Sequence, residues 1–234
     1  MTRQIVLDTE TTGLEPALGH RVIEIGCVEL FNRRLTGNNF HCYLNPDRHS
    51  DEAALEVHGL TTEFLSDKPR FADRAEELLA FVKGAEIIIH NAPFDIAFLN
   101  AELARLKLPA FPKHVDGVVD TLLLAKELHP GKRNNLDALC ERYGISNAHR
   151  TLHGALLDGQ LLAEVYLAMT RGQDALGMDM DAEGGGADSE FDHALPLATF
   201  VVPASAMEEA EHAKVLAGMS KEAKGAVIWS AQAN

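Results

Sequence analysis

LDTETTG, residues 7–13, closes a short apolar run near the start of the chain. In a β-strand, residues two apart point to the same face. The stretch therefore predicts that Asp8 and Glu10 stand side by side at the end of a buried strand. No Lys or Arg occurs between Arg3 and Arg21 to neutralise them. Two adjacent carboxylates then form either a paired polar edge or a site for a cation, since buried like charges are costly alone.

Apolar runs around this stretch predict a mixed α/β sheet. Residues 4–9, 22–31 and 35–44 are predicted strands of an antiparallel meander, with a polar turn around Asn32 and Arg33. Strands and helices then alternate. The further predicted strands are 86–90 and 118–120, and the predicted helices are 71–82, 94–106, 122–128, 135–144 and 154–170. This order predicts a mixed sheet flanked by helices.

Composition is that of an ordinary globular protein. The 234 residues are 46% hydrophobic and 24% charged. We find no apolar run long enough to span a membrane and no signal-peptide pattern at the start, so we expect a cytoplasmic protein. The three cysteines have no C-x-x-C spacing and are expected to be free thiols.

Charge and composition divide the chain. The net charge of −14 argues against a protein that holds nucleic acid chiefly through its phosphates. Residues 1–172 contain 18 Lys and Arg against 24 Asp and Glu, whereas residues 173–234 contain 3 against 11. Residues 173–196 are rich in Gly, Asp and Ala and are predicted to be a flexible linker. Residues 197–234 regain apolar character, with a capping-box spacing at Ser205 and Glu208, yet are too few for their own core.

Further polar residues lie at the ends of predicted elements. Asp95 follows the predicted strand 86–90, and His153 and Asp158 lie near the start of the last long helix. His153 and Asp158 are about 140° apart on an ideal helix, so they share a face only if His153 precedes the helix. Taken singly, each is ordinary for an exposed polar residue or a helix-dipole partner. Together with the first pair they supply oxygen ligands that suit Mg²⁺ or Mn²⁺.

Three motifs resemble those of a known family. LDTETTG, HNAPFDIAFL and HGALLDGQLLAEVY resemble the exonuclease motifs of the DEDD superfamily, in its histidine-containing branch. The family's four metal-binding acidic residues fall on Asp8, Glu10, Asp95 and Asp158, and its catalytic histidine falls on His153. The resemblance covers about residues 1–172 and implies a ribonuclease H-like fold. It also implies two divalent ions, a proton transfer to His153, and release of 5′-nucleoside monophosphates from a 3′ end.

The resemblance also suggests substrate contacts. Thr11 follows the first two carboxylates and is expected to contact the terminal nucleotide. His58, in EVHGLT, matches a family position near the substrate, although a surface-loop role is equally open. Lys132 and Arg133 either contact phosphate or form a basic turn. Asp120 is interpreted as structural.

Other stretches imply partners. NRRLTGNNFH, PGKRNNLDALCERYGI and RTLHGALLD are similar to proofreading subunits of bacterial replicative DNA polymerases, which also have a linker and a short C-terminal segment. This similarity implies that the substrate is the single-stranded 3′ end of a DNA primer. It also implies that residues 197–234 dock on the polymerase alpha subunit. Residues 173–178 loosely resemble a sliding-clamp motif, and a small accessory subunit is a further candidate partner.

Two alternatives stay open at this point. A stand-alone 3′–5′ exoribonuclease of the same branch would use the same residues, but a docking segment has no use in such an enzyme. A non-catalytic adaptor would keep the fold only. The complete set of acidic residues with His153 argues against the adaptor.

Overall fold

A five-stranded mixed sheet lies at the centre of the larger part of the chain. Its strands are β1 (Arg3–Thr11), β2 (Val22–Phe31), β3 (Arg34–Tyr43), β4 (Glu86–Ile89) and β5 (Gly117–Asp120). They lie in the order β3-β2-β1-β4-β5, with β2 antiparallel to β1 and β3, and with β1, β4 and β5 parallel. The predicted meander followed by alternating strands and helices is confirmed.

The computed structural model describes residues 2–148, 152–171 and 205–222. The chain divides into two units, residues 1–183 and residues 184–234. The predicted linker, the clamp-like motif and much of the predicted docking segment lie outside the described residues.

Helices cover both faces of the sheet. The helices of the first unit are α1 (Glu52–His58), α2 (Thr62–Leu65), α3 (Phe71–Val82), α4 (Ala92–Arg105), α5 (Thr121–Leu128), α6 (Leu136–Tyr143) and α7 (Ala155–Met169). The second unit contains α8 (Ala206–Glu222). Short 3₁₀ turns lie at Pro16–Leu18 and Phe111–Lys113. Among the described residues, no helix is both long and apolar enough to cross a membrane.

Alternate residues of β1 contact opposite layers. Ile5 and Leu7 belong to a core cluster that includes buried residues of α3 and α4. Val6 belongs to a second cluster, with buried residues of α7. Because side chains alternate along a strand, Asp8 and Glu10 continue the Val6 face. The carboxylates therefore lie on the side of the sheet that α7 covers.

Gly26 sets how closely α7 approaches that face. It lies opposite Asp8 on β2. A Cβ atom at Gly26 would lie 2.3 Å from the carbonyl carbon of Ala155, the first residue of α7. The missing side chain therefore lets the first turn of α7 lie directly on the sheet.

The turn between β2 and β3 holds the other end of α7. Asn32 and Arg33 have φ of 47° and 62°, as expected for a two-residue type I′ hairpin turn. The Arg33 guanidinium donates to Thr170 Oγ1 at 2.8 Å and to the Leu167 carbonyl at 3.1 Å. The hairpin thus binds the C-terminal end of this helix.

Helix α8 starts at the predicted capping box. The Ser205 amide donates to Glu208 Oε2 at 2.8 Å, and the Glu208 amide donates to Ser205 Oγ at 3.4 Å. Two of the amide donors that a helix start leaves unpaired are satisfied in this way.

Candidate active site

Asp8 and Glu10 stand at the carboxyl end of β1, as predicted. Asp8 is partly buried, and Glu10 is buried. The pairing of β1 with β2 shifts between Glu10 and Thr11, where a bulge ends the regular ladder. Bulges commonly re-aim side chains near functional sites. The two carboxylates therefore lie side by side where the strand leaves the sheet.

Helix α4 brings Asp95 to the same edge. Asn91, with φ of 66°, turns the chain after β4, and Pro93 occupies the first turn of the helix. Asp95 is in that first turn and is 3% exposed. Its Oδ1 accepts a hydrogen bond from Thr9 Oγ1 at 2.7 Å. This bond fixes the Asp95 carboxylate beside β1.

Helix α7 supplies Asp158, and the residues before it supply His153. Asp158 is buried in the first turn of α7, and its amide donates to the Gly154 carbonyl at 2.8 Å. His153 precedes the helix and is exposed, with Nδ1 3.5 Å from Asp158 Oδ2. Because His153 precedes the helix, the 140° that would separate it from Asp158 within one helix does not apply. The His153 amide also donates to the Val57 carbonyl at 3.0 Å, which joins this segment to α1.

The five predicted residues line one acidic cleft of about 260 Å³. Glu10, His153 and Asp158 each offer a ligand atom within 4.8 Å of the other two. The other residues lining the cleft are Thr9, His90, Phe94, Asn135, Leu136, Asp137 and Leu162. The sequence motifs thus meet in space, although they are far apart in the chain.

The electrostatics of the acidic cleft favour a cation. Burial, followed by the negative charges of Asp95 and Glu10, raises the pKa of Asp8 well above its ordinary value. Burial also raises the pKa of Asp95 to about 7, against the opposing effect of the hydrogen bond from Thr9. A divalent cation among the carboxylates would relieve the same repulsion, and hard oxygen ligands suit such ions. The residues therefore fit a divalent-metal site.

An apolar pocket of about 380 Å³ adjoins the acidic cleft and shares Thr9, Glu10 and Phe94 with it. The remaining lining residues are Thr11, Gly13, Leu14, Asp51, Ala53, Ala54, Val57 and His58. Both predicted substrate residues, Thr11 and His58, thus line it. The pocket lies between the end of β1 and α1.

The two predicted substrate residues differ in their hydrogen bonds. Thr11 Oγ1 donates to the Gly13 carbonyl at 2.7 Å, so it shapes the loop after β1. His58 is buried, and its Nδ1 accepts from the Leu60 amide at 2.9 Å. Its Nε2 is buried with no hydrogen-bond partner among the described residues. A buried polar atom of this kind suits a ligand.

Some lining residues were not predicted. His90 lines the acidic cleft, with Nδ1 2.9 Å from Thr121 Oγ1, and burial lowers its pKa. Its position at the end of the predicted strand EIIIH was an available signal. Phe94 follows Pro93 in the second motif, but an aromatic residue there is equally typical of a core position.

Asp120 has the structural role that the sequence suggested. It precedes α5, and its Oδ1 accepts from the amides of Leu122 at 2.9 Å and Asn91 at 3.2 Å. The side chain is therefore a helix cap that also ties β5 to the turn after β4.

Comparison with known proteins gives one consistent result. A family model described as "Exonuclease" matches residues 5–166. The DNA polymerase III subunit epsilon of Salmonella typhimurium is 58% identical over 189 residues, which cover 78% of this chain and 77% of that protein. The subunit epsilon of Escherichia coli is 57% identical over the same coverage. That of Rickettsia felis is 45% identical over 225 residues, which cover 94% of this chain and 98% of that protein.

Solved structures share the fold. Exonuclease X in complex with 5′ overhanging duplex DNA aligns with a TM-score of 0.57 and 24% identity, over 73% of this chain and 93% of that chain. E. coli Exonuclease I in complex with a dT13 oligonucleotide aligns with a TM-score of 0.64 and 19% identity, over 77% of this chain and 43% of that chain. The expected ribonuclease H-like fold is confirmed.

Proposed function

The chain belongs to the DNA polymerase III subunit epsilon family of exonucleases, and from this membership we propose that it removes mispaired 3′-terminal nucleotides from DNA primers. The observation that carries the proposal is the acidic cleft, where four carboxylates and His153 meet beside an apolar pocket. A non-catalytic adaptor with the same fold would not need these four carboxylates and His153.

The cleft residues divide into metal ligands and a base. Asp8, Glu10, Asp95 and Asp158 would hold two Mg²⁺ or Mn²⁺ ions, which supply charge stabilisation to the attacking and leaving oxygens. His153, exposed next to Asp158, takes a proton from the attacking water. The water oxygen bonds to the terminal phosphorus, the bond to the 3′ oxygen of the preceding nucleotide breaks, and this oxygen takes a proton from solvent. The products are a nucleoside 5′-monophosphate and a new 3′-hydroxyl end.

The apolar pocket takes the terminal nucleotide. Its mostly apolar walls suit a base and a sugar, with His58 and the Thr11 loop at its border. A groove lined by Arg133 adjoins the acidic cleft as well and shares Asn135 and Asp137 with it. The preceding phosphates of the strand lie along that groove, near Lys132 and Arg133.

The second unit provides the docking element. We assign residues 1–172 to the nuclease, 173–196 to a tether and 197–234 to binding of the DNA polymerase III alpha subunit in the bacterial cytoplasm. Helix α8 supports this assignment because it presents Met207, Val215 and Met219 as exposed apolar side chains. Binding of residues 173–178 to the sliding clamp, and of a small accessory subunit, belongs to the same proposal and rests on the sequence similarity.

The test is digestion of a primer–template that carries a 3′ mispair, with either Mg²⁺ or Mn²⁺ added to metal-free protein. We expect faster release of 5′-monophosphate from the mispaired end than from a matched end. RNA of the same sequence is the competing substrate. Digestion of the RNA with no digestion of DNA would assign the chain to the exoribonucleases instead.

Variants of the cleft test the assigned roles. Asp8→Ala and Asp158→Ala should nearly abolish release, since each removes a metal ligand. His153→Ala should lower turnover by roughly 10²- to 10⁴-fold while Mn²⁺ binding, measured by calorimetry, is retained. Loss of Mn²⁺ binding in His153→Ala would make His153 a ligand and not the base.

A further inference from the structure

His20 lines neither the acidic cleft nor the apolar pocket, yet it supports a wall of the apolar pocket. It is 7% exposed and lies between the 3₁₀ turn at Pro16–Leu18 and β2. Its ring lies against Gly13, because an added Cβ at Gly13 would be 2.3 Å from His20 Cε1. Gly13 lines the apolar pocket. His20 therefore packs directly behind the part of the pocket wall that Gly13 forms.

Both ring nitrogens of His20 face polar groups. Nδ1 lies 3.1 Å from Thr12 Oγ1, and Nε2 lies 3.4 Å from Asp51 Oδ2. Thr12 Oγ1 already accepts from the Arg21 amide at 3.0 Å, so its own proton is available to Nδ1. Nδ1 can therefore accept the Thr12 hydroxyl proton, while Nε2 faces the Asp51 carboxylate.

The two partners of His20 belong to different segments beside the apolar pocket, since Thr12 lies between the lining residues Thr11 and Gly13, whereas Asp51 itself lines the pocket. Thr12 directly follows β1, and Asp51 directly precedes α1. The Asp51 amide donates to the Thr12 carbonyl at 2.8 Å, which is the backbone link between the walls. His20 adds a second link through side chains. The loop at Gly13 and the first turn of α1 are thereby held at a fixed separation.

We propose that His20 is a positioning residue for the terminal nucleotide, because it fixes the two walls of the apolar pocket against each other through Thr12 and Asp51. Loss of His20 then weakens nucleotide binding while the acidic cleft keeps all its groups. The inference rests on the proposed function, which assigns the nucleotide to this pocket.

The test uses full-length protein and the p-nitrophenyl ester of thymidine 5′-monophosphate, which carries a single nucleotide. His20→Phe keeps a ring against Gly13 and loses both polar contacts. We expect KM for the ester and the inhibition constant of thymidine 5′-monophosphate to rise about tenfold, as the hydrogen bond with Thr12 and the polar contact with Asp51 are both lost. The turnover number should stay within about twofold, because no transition-state contact is removed.

His49→Phe is the matched control. His49 is exposed and its Nδ1 lies 3.0 Å from Thr62 Oγ1, so it has the same kind of contact away from the pocket lining. Its KM should equal that of the parent. An unchanged KM in folded His20→Phe would overturn the inference, as would a fall in turnover alone that parallels a lower melting temperature.

His20→Asn covers the case in which His20→Phe does not fold. It keeps an acceptor near Thr12 and loses the contact with Asp51, so KM should again rise, and an unchanged KM overturns the inference. Failure of the proposed function would look different. The parent protein itself would then leave both the ester and 3′ DNA ends intact.

Discussion

Gly26 shapes the acidic cleft, although it has no side chain that could bind a metal ion or transfer a proton. Gly26 lets the backbone of Ala155 lie on β2, and Asp158 follows in the same first turn of α7. Any side chain at Gly26 must push this turn away from the sheet. The lack of a Cβ atom at Gly26 therefore sets the distance between Asp158 and β1.

Gly26→Ala tests that close approach. We expect the free energy of unfolding to fall by about 1–3 kcal/mol, as for overpacked cores, and nuclease activity to fall strongly because Asp158 is displaced. Urea unfolding and the mispair assay measure the two effects. Gly117→Ala on β5 is the control, since its added Cβ would meet Glu86 at an ordinary 3.9 Å. Normal activity in Gly26→Ala would contradict the assigned packing.

The raised pKa of Asp95 predicts how the metal-free protein responds to pH. Its pKa is about 7 in the fold against an ordinary 3.8, so the folded state binds a proton more tightly than the unfolded chain. The contribution of Asp95 to stability should therefore be largest in acid and should fall as pH rises from about 4 to 7. Asp8 shifts in the same direction.

Asp95→Asn should flatten this pH dependence, because the amide does not titrate. Melting of metal-free protein between pH 4 and 8 measures the effect. Saturating Mg²⁺ should remove much of the dependence in the parent, since ion binding requires the ionised carboxylates. A parent that becomes more stable as pH rises through this range would show that the cleft carboxylates are not held protonated.

At the scale of elements, the sequence predicted the central sheet and missed two helices. Apolar runs made β1, β2 and β4 predictable, and the 3.6-residue periodicity of 71–82 matches α3. Helices α1 and α2 have seven and four residues, too few to show a period. The apolar pocket was missed for the same reason, since α1 forms one of its walls. By contrast, the acidic cleft was predictable because motif residues follow strand ends.

The turn before α6 is built to present two basic side chains. Arg142 donates to Asn134 Oδ1 at 3.1 Å and to the Arg133 carbonyl at 2.7 Å, which fixes the turn. Lys132 and Arg133 are exposed, and no ion pair holds either side chain within the part of the chain that is described. They are thus available to phosphates of a strand that enters the acidic cleft.

Lys132→Glu with Arg133→Glu tests this turn. We expect a higher KM for single-stranded oligonucleotides and a weaker dependence of KM on salt, because phosphate contacts are lost. KM for the p-nitrophenyl nucleotide ester should not change, since it has no preceding phosphate. Arg105→Glu with Lys113→Glu, both exposed elsewhere, is the charge-matched control. An equal rise of KM for both substrates would contradict a role in strand binding.

In the proposed function, catalysis and attachment to the polymerase belong to different parts of the chain. The fold and the acidic cleft lie within residues 2–171, whereas α8 belongs to the second unit. The excess of acidic over basic residues, with a net charge of −14, is unsuited to gripping duplex DNA. A tethered nuclease gains local concentration at the primer end instead, typically in the millimolar range for short flexible tethers.

Truncation after Arg171 separates the two parts. We expect the shortened protein to keep its melting temperature and its activity on single-stranded DNA, because the sheet and the cleft are intact. It should lose co-purification with the polymerase alpha subunit. Retained co-purification, or a large loss of stability, would place the docking element elsewhere.

The two hydrogen bonds from Arg33 to the end of α7 determine where a pulling force enters the fold. Thr170, which Arg33 binds, directly follows α7, and Asp158 lies in the first turn of the same helix. They are twelve positions apart, which is about 18 Å at 1.5 Å per residue. Tension on the trailing segment is therefore transferred through the β2–β3 hairpin into the sheet. In the proposed assembly, a pull from the polymerase would therefore reach the Arg33 contacts before it reached the ligand end of the helix.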